Sequence, residues 1–246
     1  MRAMILAAGL GTRLRPLTND RPKALVEING RTLLEITLER LREFGVTDVI
    51  INVHHFADRM IDFVQQNHAF GMNIEISRED ALLDTGGGLK KAGHFFLDQE
   101  NDQPFILHNV DVISNVDLRR MIDFHLANGA LATLAVQHRK TSRYLLFDEK
   151  VQLIGRRKGE GDPEMVRSAN SSRALAFCGI HIISPRLLSL LTGEGVFSII
   201  DAYLRLARSG EKIFGFVADD YFWRDLGKAE NIAQAERELK AAARNP

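Results

Sequence analysis

The chain has 246 residues, and its 32 Lys and Arg balance 32 Asp and Glu, so its formal net charge is zero. That balance argues against a protein held to nucleic acid or an anionic membrane by bulk charge, since both need a basic surplus or stripe. The length suits one large α/β domain or two small ones, and 45% apolar residues are enough to bury a core without staples.

The apolar run 4–8, ended by Gly9, predicts a buried parallel strand. The stretch 3–10 is too short to span a membrane, and a first strand is favoured over a targeting segment. The expected compartment is therefore the cytoplasm. Residues 32–44 repeat Leu33, Leu34, Ile36, Leu38, Leu41 and Phe44 at helical spacing, with Gly45 at the helix end. A second buried strand follows at 48–53, an amphipathic helix at 57–66 and an alternating strand at 73–77. A helix is expected over 89–96, after the triple glycine. The third strong strand spans 104–112, apolar at first and polar at its end. A helix at 117–128 and a strand at 131–136 come next. Segments 144–147 and 151–154 flank Asp-Glu-Lys and predict a hairpin. Residues 156–172 lack apolar periodicity and read as a loop or lid. A strand at 176–183, a helix at 197–208, a strand at 213–217 and a charged helix at 229–243 complete the chain. The order predicts an α/β fold: a doubly wound, mostly parallel mixed sheet with helices on both faces and antiparallel additions late in the chain.

The first loop carries the densest signal. Gly9 and Gly11 directly follow a strand, where backbone N–H groups can approach phosphates. It is not a dinucleotide fingerprint, because Leu14 holds the third glycine position, nor a Walker A loop, because no Gly-Lys-Ser/Thr follows. Leu14 also counts against an NAD-dependent oxidoreductase. Arg13, Arg15, Arg21 and Lys23 are opposed only by Asp20 over residues 13–23. Such a cluster is either a solvated surface loop or a grip for a triphosphate.

Four further features stand out. Asp84-Thr-Gly-Gly-Gly88 is either a tight turn or a place where a ligand meets the backbone. Glu79 and Asp80, just before it, have a lesser claim on a base or ribose. Asp111 ends a buried strand, where it either caps a turn or ligates a hard cation. Asp225, after the bulky pair Phe222-Trp223, is either a second such ligand or the cap of the last helix. Gly179 lies within a strand, as a bulge or a clearance. The lone Cys178 excludes an intramolecular disulfide and a Cys-based zinc site, and has no evident partner base. His54 and His55 are adjacent strand residues and so point to opposite faces. Most of the eight histidines are expected at the surface or behind a site. No Gly-x-Ser-x-Gly elbow is present.

Taken in order, Gly9-Leu-Gly-Thr-Arg13, Pro22-Lys23, Asp84-Thr-Gly-Gly-Gly88, Asn109-Val-Asp111, Phe177-Cys-Gly179 and Trp223-Arg-Asp225-Leu-Gly227 resemble the sugar-1-phosphate nucleotidylyltransferases over nearly the whole chain. The resemblance implies a Rossmann-like fold and one catalytic domain over 1–246, with a nucleotide-binding half (1–115) and a sugar-phosphate-binding half (116–246). It implies Ala7, Ala8, Gly9, Gly11, Thr12, Arg13, Lys23, Thr85, Gly86 and Gly87 at the nucleotide, and Asn109, Gly179 and Asp225 at the sugar phosphate. Arg13, Lys23 and Asp111 are the implied catalytic residues, and Asp111 and Asp225 hold Mg²⁺. The substrates are then a nucleoside triphosphate and a sugar 1-phosphate, without nucleic acid or membrane, in a monomer or homodimer. A sugar 1-phosphate already carries the attacking oxygen, so catalysis reduces to alignment and charge stabilisation.

Two departures accompany the resemblance. Val110 stands where the family pattern has glycine. The family's Glu-Lys-Pro lysine is missing, leaving Arg143, Arg156, Arg157 or Lys158 as substitutes. The compact chain and its triple glycine are most similar to short bacterial enzymes that join UTP to N-acetylmuramate 1-phosphate. Mannose- or heptose-1-phosphate guanylyltransferases share the catalytic motifs, as the alternative. Arg21-Pro-Lys-Ala-Leu-Val26 is also similar to phosphocholine cytidylyltransferases, which lack the triple glycine. An alternative of another class is a non-catalytic nucleotide-sugar sensor, which need not keep Lys23 and both carboxylates.

Overall fold

The computed structural model describes residues 1–97 and 102–242, with side chains of the last helix described through residue 237. In chain order it contains β1 (Arg2–Leu6), β2 (Glu27–Ile28), β3 (Arg31–Thr32), α1 (Leu33–Glu43), β4 (Asp48–Val53), α2 (Ala57–Gln66), β5 (Asn73–Arg78) and α3 (Asp84–Lys91). There follow β6 (Phe105–Asn109), β7 (Val112–Ser114), α4 (Leu118–Ala127), β8 (Ala132–Gln137), β9 (Arg143–Phe147), β10 (Leu153–Lys158), β11 (Glu164–Met165) and β12 (Arg173–Ile183). The chain ends with α5 (Arg186–Leu190), α6 (Ile199–Arg208), β13 (Ile213–Val217), β14 (Trp223–Asp225) and α7 (Ala229–Ala242). Position 243 of the expected last helix lies outside the described residues.

One mixed sheet runs in the order β11-β10-β9-β12-β6-β1-β4-β5, with β8 on β12 and β13 on β8. The pairs β6-β1, β1-β4 and β4-β5 are parallel, as βαβ crossovers require. The long strand β12 pairs antiparallel with β6, β8 and β9 and so joins the second half to the first. The pleat sorts alternate residues into two cores. Ala3, Ile5, Val49 and Ile51 face α1, α2, α4 and α7, whereas Met4 and Ile50 face α3, α5 and α6. Helices therefore cover both faces. Helix α1 opens with the capping box that its sequence spells: Thr32 accepts from Glu35 N and the Glu35 side chain accepts from Thr32 N.

Strand order reverses at β1, since β4 lies on one side and β6 on the other. The crevice at such a reversal, beyond the carboxyl ends of the strands, is where open α/β sheets bind ligands. Leu6 and Asn109 are register partners at that edge, and Val110 N donates to Leu6 O at 3.2 Å. Among the described residues no helix is long and apolar enough to cross a membrane.

Several sequence expectations need correction. The first strand stops at Leu6, because Ala7 N turns away from the ladder to donate to Asn52 Oδ1 at 2.8 Å. The third strand stops at Asn109; the chain turns through Val110 and Asp111, and β7 leaves the main sheet to pair with β14. The triple glycine is not a loop before a helix at 89–96 but lies inside α3, and 92–96 is a 3-10 turn. Residues 156–172 are partly ordered as β10 and β11, an antiparallel extension of the sheet, rather than a free lid. The histidines follow expectation, since five of the eight are exposed or half-buried, while His108, His125 and His181 are buried.

Candidate active site

The loop after β1 folds back on itself. Gly11 has φ +64, a left-handed conformation that favours glycine, and a Cβ there would lie 3.0 Å from Thr18 and 3.3 Å from the Lys23 Cβ. Thr18 Oγ1 donates to Gly11 O at 2.9 Å and fixes the return. This brings Lys23 beneath the loop, where its ammonium sits on the Asp111 carboxylate, both side chains largely buried. Arg13 projects from a short 3-10 turn (Thr12–Leu14) toward Gly227, and a Cβ on Gly227 would lie 2.7 Å from both Arg13 Nη2 and Asp225 Oδ1. Arg13 has no hydrogen-bond or ion-pair partner among the described residues.

The two carboxylates are brought together by backbone pairing. Asp225 is the register partner of Val112, and Leu226 N donates to Asp111 O at 2.8 Å. The Asp225 side chain accepts from Gly227 N at 2.7 Å, which fixes its rotamer. The pair supplies hard oxygens from adjacent segments, the donor chemistry that suits a small divalent cation completed by waters and substrate phosphates. Lys23 and Arg13 interleave with Asp111 and Asp225.

Three clefts open along this edge. The first, of about 370 Å³, is lined by Ala7, Ala8, Gly9 and Lys23 from the first loop, Thr85 from α3, and Asn109 and Asp111 from the β6 end. Leu6, Asn52, Glu79, Leu82, Asp84, Val110 and Val196 complete its lining. The third, of about 960 Å³, is lined by Arg13, Asp225, Arg139, Lys140, Arg143, Arg224 and Lys228, among others, so one carboxylate faces six cationic side chains. A second cleft of about 410 Å³, with Arg143, Arg156, Arg157 and Lys158, borders both. It shares Asp84 with the first cleft, and Arg143 and Phe177 with the third.

Six of the expected nucleotide and sugar-phosphate residues, with Asp111, therefore line the first cleft, while Arg13 and Asp225 line the third. Gly11 and Thr12 line none of the three clefts; Gly11 shapes the loop. Gly86 and Gly87 pack against the segment around Phe197, and both donate their N–H groups to Phe197 O. Gly179, at φ +75 in a bulge of β12, is a clearance: a Cβ would lie 2.9 Å from Asn109 Nδ2.

The four candidates for the missing lysine differ in their surroundings. Arg156 donates to Glu164 at 2.7 Å and to Asp201, so its charge is already matched. The Arg157 guanidinium lies 5.2 Å over the Tyr144 ring. Arg143 reaches two clefts and has no carboxylate partner among the described residues. Arg139, which the sequence motifs did not single out, stacks 3.8 Å over the Trp223 ring and donates to Phe177 O at 2.7 Å. Its buried Nε has no partner. The cationic run 138–143 was the signal that could have flagged it. Asn52 and Glu79 were also underread. Asn52 accepts from Ala7 N and donates to Glu79 Oε1 at 2.7 Å, and Glu79 Oε2 accepts from Leu83 N at 3.0 Å. These two buried side chains brace the first cleft.

Among the described residues of the site, no side chain is set up as a nucleophile with a base. Burial pushes the Cys178 thiol up to about 12, which removes its thiolate at neutral pH. Burial holds His108 down at about 4, and its Nδ1 donates to Asn109 O at 2.8 Å, so it supports the turn as a neutral ring.

The profile of the nucleotidyl transferase family matches residues 2–147, more than half of the chain, and the chain belongs to that family. It is 34% identical to the N-acetylmuramate alpha-1-phosphate uridylyltransferase of Caulobacter vibrioides over 248 residues, covering 98% of this chain and 97% of that protein. It is 29% identical to the mannose-1-phosphate guanyltransferase of Candida albicans, covering 94% of this chain but only 62% of that longer protein. HddC from Yersinia pseudotuberculosis, solved with GMP-PN, superposes with a TM-score of 0.77 at 23% identity, over 97% of this chain and 99% of that one. A putative glucose-1-phosphate thymidylyltransferase from Bacillus anthracis gives 0.80 at 18% identity, over 100% and 96%. These two likenesses establish the fold.

Proposed function

We propose that this chain, a sugar-1-phosphate nucleotidyltransferase, transfers a uridylyl group from UTP to an N-acetylated amino sugar 1-phosphate, with N-acetylmuramate 1-phosphate as the preferred acceptor. The observation that carries this is the joint between two clefts: Lys23 and Asp111 line the first, Arg13 and Asp225 line the cationic third, and the two carboxylate segments meet where Leu226 N donates to Asp111 O. A triphosphate in the first cleft places its α-phosphorus at that joint, within reach of an acceptor phosphate in the third.

In the step itself, an oxygen of the acceptor phosphate bonds to the α-phosphorus. The bond from that phosphorus to the α–β bridging oxygen breaks, and pyrophosphate leaves with the electron pair. The acceptor oxygen is already anionic, so no side chain takes a proton. Lys23 neutralises charge on the reacting phosphates, and Arg13 receives the pyrophosphate. Arg139 and Arg143 hold the acceptor phosphate in place of the family lysine. Arg139 is oriented beforehand by its stack on Trp223 and its bond to Phe177 O. Asp111 and Asp225 hold Mg²⁺, which when bound supplies further charge neutralisation on the phosphates.

N-acetylmuramate carries a carboxylate in addition to the 1-phosphate, and a cleft with six cations against one carboxylate suits two anions better than the single phosphate of mannose 1-phosphate. GTP with mannose or heptose 1-phosphate is the second reading, favoured by the guanyltransferase relatives. The two halves, 1–115 and 116–246, act as one catalytic domain, in a cytoplasmic monomer or homodimer. The test is a matrix of nucleoside triphosphates against sugar 1-phosphates with Mg²⁺, scored by pyrophosphate release. UTP with N-acetylmuramate 1-phosphate is expected to give the highest kcat/KM. A maximum at GTP with mannose 1-phosphate would select the second reading. Nucleotide binding without turnover on any acceptor would instead identify a sensor.

A further inference from the structure

The first cleft has a wall supplied from the other half of the chain. Residues 191–198 connect α5 to α6, yet they are fastened to the start of α3. Phe197 N donates to Leu83 O at 3.2 Å, and Phe197 O accepts from Gly86 N at 2.9 Å and Gly87 N at 3.2 Å. Ile199 N donates to Thr85 Oγ1 at 3.0 Å. The glycines make the recess for this segment: a Cβ on Gly86 would lie 2.4 Å from the Phe197 ring, and one on Gly87 would lie 2.3 Å from Gly195 O. Fastened in this way, the segment presents Val196 to the cleft, where that aliphatic side chain is 67% exposed. Leu82 lines the same cleft and is 38% exposed. Exposed aliphatic groups gathered in a concave site mark a surface that a ligand covers.

The polar side chains beside them already have partners. Asn52 is used by Ala7 and Glu79, Glu79 by Asn52 and Leu83, and Thr85 Oγ1 by Ile199. Asp84 Oδ1 accepts from Thr85 N at 2.6 Å. What this part of the cleft has to spare is apolar surface.

We infer that segment 193–198 is the nucleobase wall of the cleft and that Val196, with Leu82, forms an apolar clamp on the base of the incoming nucleoside triphosphate. The inference rests on the assignment of this cleft to the nucleotide. An aliphatic contact to a ring face is common to all bases, so the clamp supplies affinity for the nucleotide rather than choice among bases.

The test is calorimetric titration of the full-length protein with UTP and Mg²⁺, comparing wild type, Val196→Ser and Val196→Leu, together with steady-state KM values for both substrates. Val196→Ser removes a side chain that packs little in the fold, so the fold is retained. It should raise the Kd for UTP about tenfold, the order expected for uncovering an aliphatic side chain. The same factor should apply to any other nucleoside triphosphate that the wild type binds. The sugar-phosphate KM should not move, and Val196→Leu should bind UTP like the wild type. Equal UTP affinity in wild type and Val196→Ser, or a change confined to one base, would overturn the clamp. Failure of the wild type to bind any nucleoside triphosphate would overturn the assignment of the cleft, and the clamp with it.

Discussion

Asp111 is held from three directions at once. Its carbonyl accepts from Leu226 N, its carboxylate carries the Lys23 ammonium, and its strand turn is propped by His108 through Asn109 O. Asp111→Asn keeps the shape and removes the charge, so kcat should fall about 100-fold, the usual cost of losing one group that acts on transition-state charge. Arg13→Ala should cost a similar factor, and because Arg13 has no partner among the described residues, its Tm should stay at the wild-type value. Steady-state kinetics with a thermal scan checks both, and full activity in either variant would contradict the assignment. At this scale the sequence was informative wherever a charged residue ended a strand or sat in a glycine loop, as for Arg13, Lys23 and Asp111. It was silent on Asn52 and Arg139. Asn52 reads as one more residue of a buried strand until the β1-β4 register brings it to Ala7. Arg139 looks like a surface cation until Trp223 and Phe177 are beside it.

Helix α3 shows what an element can hide. Three successive glycines read as a loop because each costs about 1 kcal/mol relative to alanine in a helix. They are helical here because the neighbours come too close for a side chain: Phe197 at Gly86, Gly195 O at Gly87, and Glu79 and Asn52 at Gly88. At Gly86 and Gly87 the clearance depends on a segment more than a hundred residues away, which no local pattern reveals. Gly86→Ala improves helix propensity yet drives a methyl into the Phe197 ring. Overpacking of this kind costs about 1–3 kcal/mol, or roughly 2–4 °C of Tm per kcal/mol for a chain of this size. Thermal denaturation should therefore show a Tm lowered by several degrees, whereas an unchanged or higher Tm would contradict the packing account. The strands and the helices α1, α2 and α4 were legible because their apolar spacing is set by the two cores. The ends of β1 and β6 were not, because a side chain or a turn takes over the backbone at the site itself.

Across the whole molecule, zero net charge conceals an unequal distribution: cations crowd the third cleft while carboxylates pair with basic groups elsewhere. Three neutral histidines are also locked inside. Burial lowers His108 and His125 to about 4 and His181 to about 3, while His125 bridges Thr133 and Ser184. An unfolded chain protonates each near pH 6.5, so below that pH it binds protons that the fold refuses. Their stabilising contribution is full above about pH 6.5 and is lost as the pH falls toward 4, at about 1.4 kcal/mol per pH unit for each histidine. Urea unfolding at pH 7, 6 and 5 should show stability falling most steeply between pH 6 and 5, and a flat profile would contradict it.

The proposed transfer is direct between two bound substrates, without a covalent enzyme intermediate. The most direct measurement is pyrophosphate release by the purified protein with UTP and Mg²⁺, with and without N-acetylmuramate 1-phosphate. Sustained release with the acceptor, and no stoichiometric burst without it, is the predicted result. A burst of pyrophosphate in the absence of acceptor, or none in its presence, would contradict the account.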